Sequence, residues 1–154
     1  MSDAFQDAYP DELSVCYGCG RLNEQGLHIK SYWDGDRTIC RFRPAPAHTA
    51  IAGFVYGGVI ASAIDCHGTG SAAAAAKRAR AGQAGVEPNP RFVTASLHVD
   101  YLKPTPIDDE MVLLGTIVEV KGRKVVVDIE VVCSGVVCVK GRVVAVELPK
   151  DWKP

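Results

Sequence analysis

From residue 92 almost to the end of the chain, β-branched and apolar positions recur in long runs, and the breaks between the runs fall on short glycine-bearing turns. Residues 92–102, 111–121, 125–133 and 136–148 predict four strands, the last three forming a meander through Lys121-Gly122-Arg123 and Ser134-Gly135. Upstream, residues 27–33 and 37–43 predict two more strands joined at Asp34-Gly35, a dipeptide that accepts the positive φ of a tight hairpin. Pro44 and Pro46 end the second. Between these groups lies the one long helical pattern. From Gly57 to about Arg80 the chain is rich in Ala, free of Pro, and closes on Lys77, Arg78 and Arg80 before Gly82, cations that suit the carboxyl end of a helix dipole. Gly68 and Gly70 each cost about 1 kcal/mol relative to Ala in a helix interior, which predicts close approach by another backbone. Two strands, one helix and four strands make an α+β pattern, in which an antiparallel sheet curved around a single Ala-rich helix would bury it.

Length and charge narrow the picture. A chain of 154 residues buries enough surface as one domain to need no metal or disulfide for stability. Residues 1–15 read as a polar, acidic N-terminal arm and residues 16–150 as the domain. With 17 Lys+Arg against 18 Asp+Glu and no run of like charge, neither nucleic acid nor an anionic membrane is expected as a partner. The longest uncharged stretch, residues 44–64, is interrupted by Pro46, His48, Thr49, Ser62 and glycines, which excludes a bilayer span there. Asp3, Asp7, Asp11 and Glu12 leave no room for the basic and apolar regions of a signal peptide, so a cytoplasmic protein with reduced cysteines is expected.

Candidate chemistry centres on the helix. Gly57 and Gly58 stand at its start, where exposed amides accept developing negative charge and the missing side chains admit a carbonyl. Asp65 is the only acid between Asp36 and Glu87, on an otherwise small and apolar helix, and is a candidate base for activating water. Eight helical residues at about 1.5 Å each separate Gly57 from Asp65 by roughly 12 Å, too far for both to serve one small centre within one chain.

The string Gly53-Phe54-Val55-Tyr56-Gly57-Gly58-Val59-Ile60-Ala61-Ser62-Ala63-Ile64-Asp65 resembles the Gly-x-x-His-Gly-Gly signature, followed by a small apolar run and an acid, of hotdog-fold acyl-CoA thioesterases. Leu97-His98-Val99-Asp100-Tyr101-Leu102-Lys103-Pro104 is similar to the strand that follows the long helix in that superfamily, and Cys16-x-x-Cys19-Gly20 with Asn23 and Gly26-Leu27 resembles its phenylacetate-pathway-type members. The resemblance implies a hotdog fold, hydrolysis of an acyl-CoA thioester to free acid and CoA, and a site shared across the interface of a homodimer or a dimer of dimers. Coenzyme A enters as part of the substrate, and no separate cofactor is implied. It assigns the catalytic roles to Asp65, to the Gly57 and Gly58 amides of the neighbouring subunit, and to an assisting hydroxyl at Thr94. His48, Tyr56 and Ser96 are carried over as substrate-binding positions, Ser96 one same-face step along the strand from Thr94. Two departures stand out: Tyr56 replaces the usual His before the glycines, and Ala50 replaces an Asn.

Other chemistry-bearing residues read as structural. His67 points about 200° away from Asp65 around the helix, so it is expected in the core or an interface rather than in a dyad. Cys16 and Cys19 have the spacing of half a zinc site, but no second ligand pair follows in the sequence, so no metal is expected. Cys40, Cys66, Cys133 and Cys138 read as small buried residues. Lys77, Arg78, Arg80, Arg91, Arg123 and Lys124 are candidates for the phosphates of coenzyme A, or else a solvated surface. Tyr56 and Ala50 keep a second function open, a non-catalytic acyl-CoA binding or sensing module. A hotdog hydratase or dehydratase is less favoured, because the chain lacks an adjacent Asp and His pattern for it.

Overall fold

The computed structural model describes residues 3–153. After two short 3-10 turns, Phe5–Ala8 and Asp11–Leu13, the chain forms β1 (Ser31–Asp34), β2 (Arg37–Phe42), helix α1 (Gly57–Ala79), β3 (Phe92–Tyr101), β4 (Met111–Lys121), β5 (Lys124–Cys133) and β6 (Val136–Glu147). All neighbours in the single sheet are antiparallel, in the order β1-β2-β4-β5-β6-β3. One long helix held against such a six-stranded sheet is the hotdog arrangement the sequence implied, and the predicted strands after the helix agree with the observed ones to within a residue at each end. Among the described residues, no helix is long and apolar enough to cross a membrane.

The turns show why the meander forms. Gly35 (φ 63°) and Gly122 (φ 57°) occupy the first position of two-residue turns, and Ser134 (φ 48°) with Gly135 (φ 76°) makes a turn in which both central residues are left-handed. One predicted strand is shortened. Residues 27–30 are not part of β1, because the amides of Leu27 and Ile29 bond to the carbonyls of Tyr17 and Gly18 (2.8 and 2.9 Å) and His28 takes a left-handed φ of 54°.

One face of the sheet holds α1 through Ile60, Ala63, Ile64, Ala72 and Ala75, packed with Met111, Leu113, Val127, Ile129, Val139 and Val143. Burying side chains of Val, Leu or Ile size contributes roughly 1.5–3 kcal/mol each, so this contact dominates the stability of the fold. Close approach does occur at the helical glycines, but by side chains rather than backbone. A Cβ on Gly68 would lie 2.7 Å from Val143 Cβ, and one on Gly70 would lie 2.6 Å from Gln6 Nε2. Gln6 is buried because the N-terminal segment docks on the helix: its side chain donates to Ser31 Oγ (3.1 Å) and accepts the Ser31 amide (2.8 Å). The first two residues of the predicted arm lie outside the described residues.

One face of α1 is left half-open. Gly58, Ala61, Ser62, Asp65 and Thr69 recur at helical spacing and are only partly buried, while most of the rest of the helix up to Ala76 is buried. At the sheet edge, the ten residues of β3 pair on one side only and expose Val93, Leu97 and Tyr101.

Candidate active site

Local backbone chemistry defines the helix start. Tyr56, the N-cap, is extended (φ −61°, ψ 129°) and offers no side-chain cap. The amides of Val59 and Ile60 both reach back to its carbonyl (3.0 and 3.3 Å), and the amides of Gly57 and Gly58 precede them, in the first turn where helices lack internal acceptors. Two tyrosines frame these glycines. Tyr101 Oη donates to the Gly57 carbonyl (2.7 Å), and a Cβ on Gly58 would come within 2.7 Å of Tyr56 Cζ. Burial, with Tyr56 nearby, raises the Tyr101 phenol above its ordinary value, so it remains a neutral donor. The preceding loop is braced by bridges between Thr49 and Val55 and between Phe54 and Pro106, yet it exposes Ile51, Phe54 and Tyr56. His48 is engaged here: its carbonyl accepts the Tyr56 amide (2.8 Å), its Nδ1 accepts the Ala45 amide (2.9 Å), and its ring stacks on Phe42 at 5.9 Å.

Asp65 lies two turns further along the helix. The Thr94 hydroxyl, on β3, donates to Asp65 Oδ1, which fixes the carboxylate and leaves Oδ2 without a protein donor among the described residues. Both residues line a cleft of about 760 Å³ whose walls include Trp33, Thr69, Ala73 and Phe92. Neither Gly57 nor Gly58 lines that cleft, and neither do His48, Tyr56 or Ser96. Within one chain, the acid and the helix start therefore face separate places, as their axial separation predicts.

Ser96 differs from expectation for a defined reason. Thr94 pairs with Ala145 and Ser96 with Val144, so Ala95 is an inserted bulge residue that reverses the inward phase of the strand. Ser96 is consequently exposed and off the Thr94 face, whereas Val99 packs against the core.

The candidate cations sort into two groups. Lys77, Arg78 and Arg91 line the cleft; Arg78 lies 3.3 Å over the Trp33 ring, and Lys77 donates to Asn89 Oδ1 (3.1 Å). Arg80 is instead clamped by Glu147 (3.0 and 2.6 Å), Arg123 bonds the Glu147 carbonyl (3.1 and 2.8 Å), and Lys124 pairs with Glu119 (3.0 Å).

His67 is fully buried and polar on both sides of its ring. Nδ1 lies 2.9 Å from Ser31 Oγ and Nε2 lies 3.3 Å from Thr38 Oγ1, which in turn meets Ser71 Oγ at 2.7 Å. Burial drives its imidazole down to about 3, so it is neutral in the fold.

One grouping escaped the sequence reading. Cys66, on α1, comes together with Cys16 and Cys19, all three sulfurs within 4.8 Å of one another. Hydrogen bonds from the Cys19 and Cys66 thiols hold the Cys16 thiol far below its usual range, and the same contacts push Cys66 up. The close approach is made at Gly18, where a Cβ would lie 3.4 Å from Cys66 Cβ and would run into its sulfur, a contact that only the folded chain shows.

An acid fixed by a hydroxyl beside a ligand-sized cleft, on the helix of a hotdog fold, defines a class of site suited to activating water. The chain matches the family model for the thioesterase superfamily over residues 52–140. A crystal structure of a thioesterase superfamily protein from Shewanella loihica is 51% identical, with 94% of this chain and 99% of that one covered and a TM-score of 0.71. The chain belongs to the thioesterase superfamily. A Haemophilus influenzae thioesterase (14% identity, 92% of each chain, TM-score 0.68) and an uncharacterized Pyrococcus horikoshii protein (18% identity, 89% and 95% covered, TM-score 0.65) share the fold. A comparison with curated proteins gave no match.

Proposed function

We propose that the chain hydrolyses an acyl-CoA thioester in a site completed by two subunits. Asp65 of one subunit takes a proton from water as the water oxygen attacks the thioester carbonyl carbon. The resulting oxyanion accepts hydrogen bonds from the Gly57 and Gly58 amides of the neighbour. Collapse breaks the C–S bond, and the thiolate of CoA leaves with the proton Asp65 had taken. The free acid is the other product. The Thr94 hydroxyl orients Asp65 throughout, and Lys77, Arg78 and Arg91 stand where phosphates of the substrate would pass the cleft rim.

The observation that carries this reading is the Asp65 carboxylate, held by Thr94 on the wall of a cleft it shares with apolar side chains. Support for the second subunit comes from the half-open stripe of α1, the unpaired β3 edge and the exposed apolar loop before Gly57. Thiol release from short, medium, long and aromatic acyl-CoAs tests the activity. Tight binding without turnover across the panel would favour instead an acyl-CoA binding or sensing module, the reading that Tyr56 in place of a histidine keeps open. Sharing is tested by mixing Asp65→Asn with Gly58→Val, each inactive alone. Mixed dimers of a shared site regain about a quarter of native activity per dimer population, since half the dimers are mixed and each holds one intact site of two. No recovery after verified subunit exchange contradicts the shared site.

A further inference from the structure

The thioesterase chemistry makes no use of the three-cysteine cluster, and its geometry is specific. Cys16 Sγ and Cys66 Sγ stand 3.8 Å apart, and Cys19 Sγ lies within 4.8 Å of both. Sulfurs at two corners of a tetrahedron around a zinc ion, each about 2.3 Å from the metal, are separated by about 3.8 Å. The turn carrying two of them is built tightly. In Cys16-Tyr17-Gly18-Cys19-Gly20 the Gly20 amide closes onto the Cys16 carbonyl (2.8 Å), and this turn brings the Cys19 sulfur back beside that of Cys16. Leu27 and Ile29 bond back to Tyr17 and Gly18, so the turn is anchored from outside as well. Gly20 has no tolerance for a side chain, since a Cβ would lie 2.7 Å from the Cys16 carbonyl oxygen.

We propose that Cys16, Cys19 and Cys66 form a three-thiolate site for a thiophilic d10 cation, zinc(II), which staples the N-terminal segment to α1 beside the cleft. An all-sulfur set selects such ions over magnesium or calcium, which take oxygen ligands. All three residues line the cleft, so the fourth coordination position opens there and takes a water molecule. Binding displaces thiol protons to solvent and joins positions 50 residues apart in the chain. A disulfide between Cys16 and Cys66 is the competing chemistry. It requires an oxidant and leaves the third sulfur unexplained.

Cobalt(II) serves as the probe, added to the reduced, chelator-stripped full chain and then displaced by zinc(II). The expected result is one equivalent of cobalt bound with a thiolate-to-cobalt charge-transfer band and intense tetrahedral d–d bands, loss of both on adding zinc, and a higher melting temperature with one equivalent of zinc. Cys16→Ser, at an exposed position that the fold tolerates, is expected to weaken cobalt binding by at least about 100-fold, beyond what loss of an outer partner does. Cys138→Ser, outside the cluster, leaves the bands unchanged. Absence of the charge-transfer band in the native reduced protein, or its persistence in both Cys16→Ser and Cys66→Ser, overturns the proposal. These readouts need no substrate, so the site stands or falls independently of the thioesterase reading.

Discussion

Asp65 and His67 stand two residues apart on α1, point about 200° apart around it, and meet opposite surroundings. His67 is enclosed, with a hydroxyl at each ring nitrogen, in a chain that runs from Gln6 through Ser31 to Thr38 and Ser71. Asp65 has one hydroxyl partner and the cleft in front of it. A polar side chain whose hydrogen-bonding capacity is filled by the protein holds elements together; one left partly unfilled at a cleft wall is available to a ligand or water. The helix thus separates scaffold chemistry from candidate reaction chemistry by rotation alone.

The comparison breaks if the two residues respond alike to substitution. The largest effect on stability is expected from His67→Leu, which removes the partner of Ser31 and Thr38 and costs on the order of 3 kcal/mol. Chemical denaturation measures it, with activity per folded molecule unchanged. Acid gives the next largest effect. The folded His67 has its pKa lowered to about 3 from the ordinary 6.5, so below 6.5 the unfolded chain binds the proton first. The stabilisation is complete above the unfolded value and declines as pH falls toward the folded one. Thermal melts between pH 7 and 4.5 are therefore expected to show a loss of roughly 2 kcal/mol, absent in His67→Leu.

Thr94→Val sharpens the other side. It is expected to lower turnover about tenfold, equivalent to about 1.4 kcal/mol, with a much smaller change in melting temperature. Steady-state kinetics beside a thermal melt would show the split, and an unchanged kcat would remove Thr94 from the site. The smallest effect is expected from Tyr101→Phe, where loss of an exposed hydrogen bond to the Gly57 carbonyl costs about 1 kcal/mol or less.

Much of the fold was legible because its signals are local. Runs of β-branched residues, glycines at turn positions and an Ala-rich segment without proline each act within a few residues. The start of β1 was not, because Leu27 and Ile29 bond to a loop ten residues upstream rather than to a strand. Asp65 stood out as a lone acid on an apolar helix, and the family resemblance pointed to Thr94. Ser96 was misplaced because nothing in Thr94-Ala95-Ser96 announces a bulge, whose origin lies in pairing with β6. Cys66 was sorted with the core because its neighbours Cys16 and Cys19 arrive through tertiary folding, 50 residues away in the case of Cys16. Tyr101 was visible in the strand but not as the residue that would cap the Gly57 carbonyl.

The most direct test compares Asp65→Asn with the native protein for thiol release from its preferred acyl-CoA, alongside circular dichroism and assembly state. The account predicts a fall in kcat of about a thousandfold, within the range for removal of a general base, with fold and assembly retained. Equal turnover in the two proteins would contradict it and return Asp65 to the same structural role as His67.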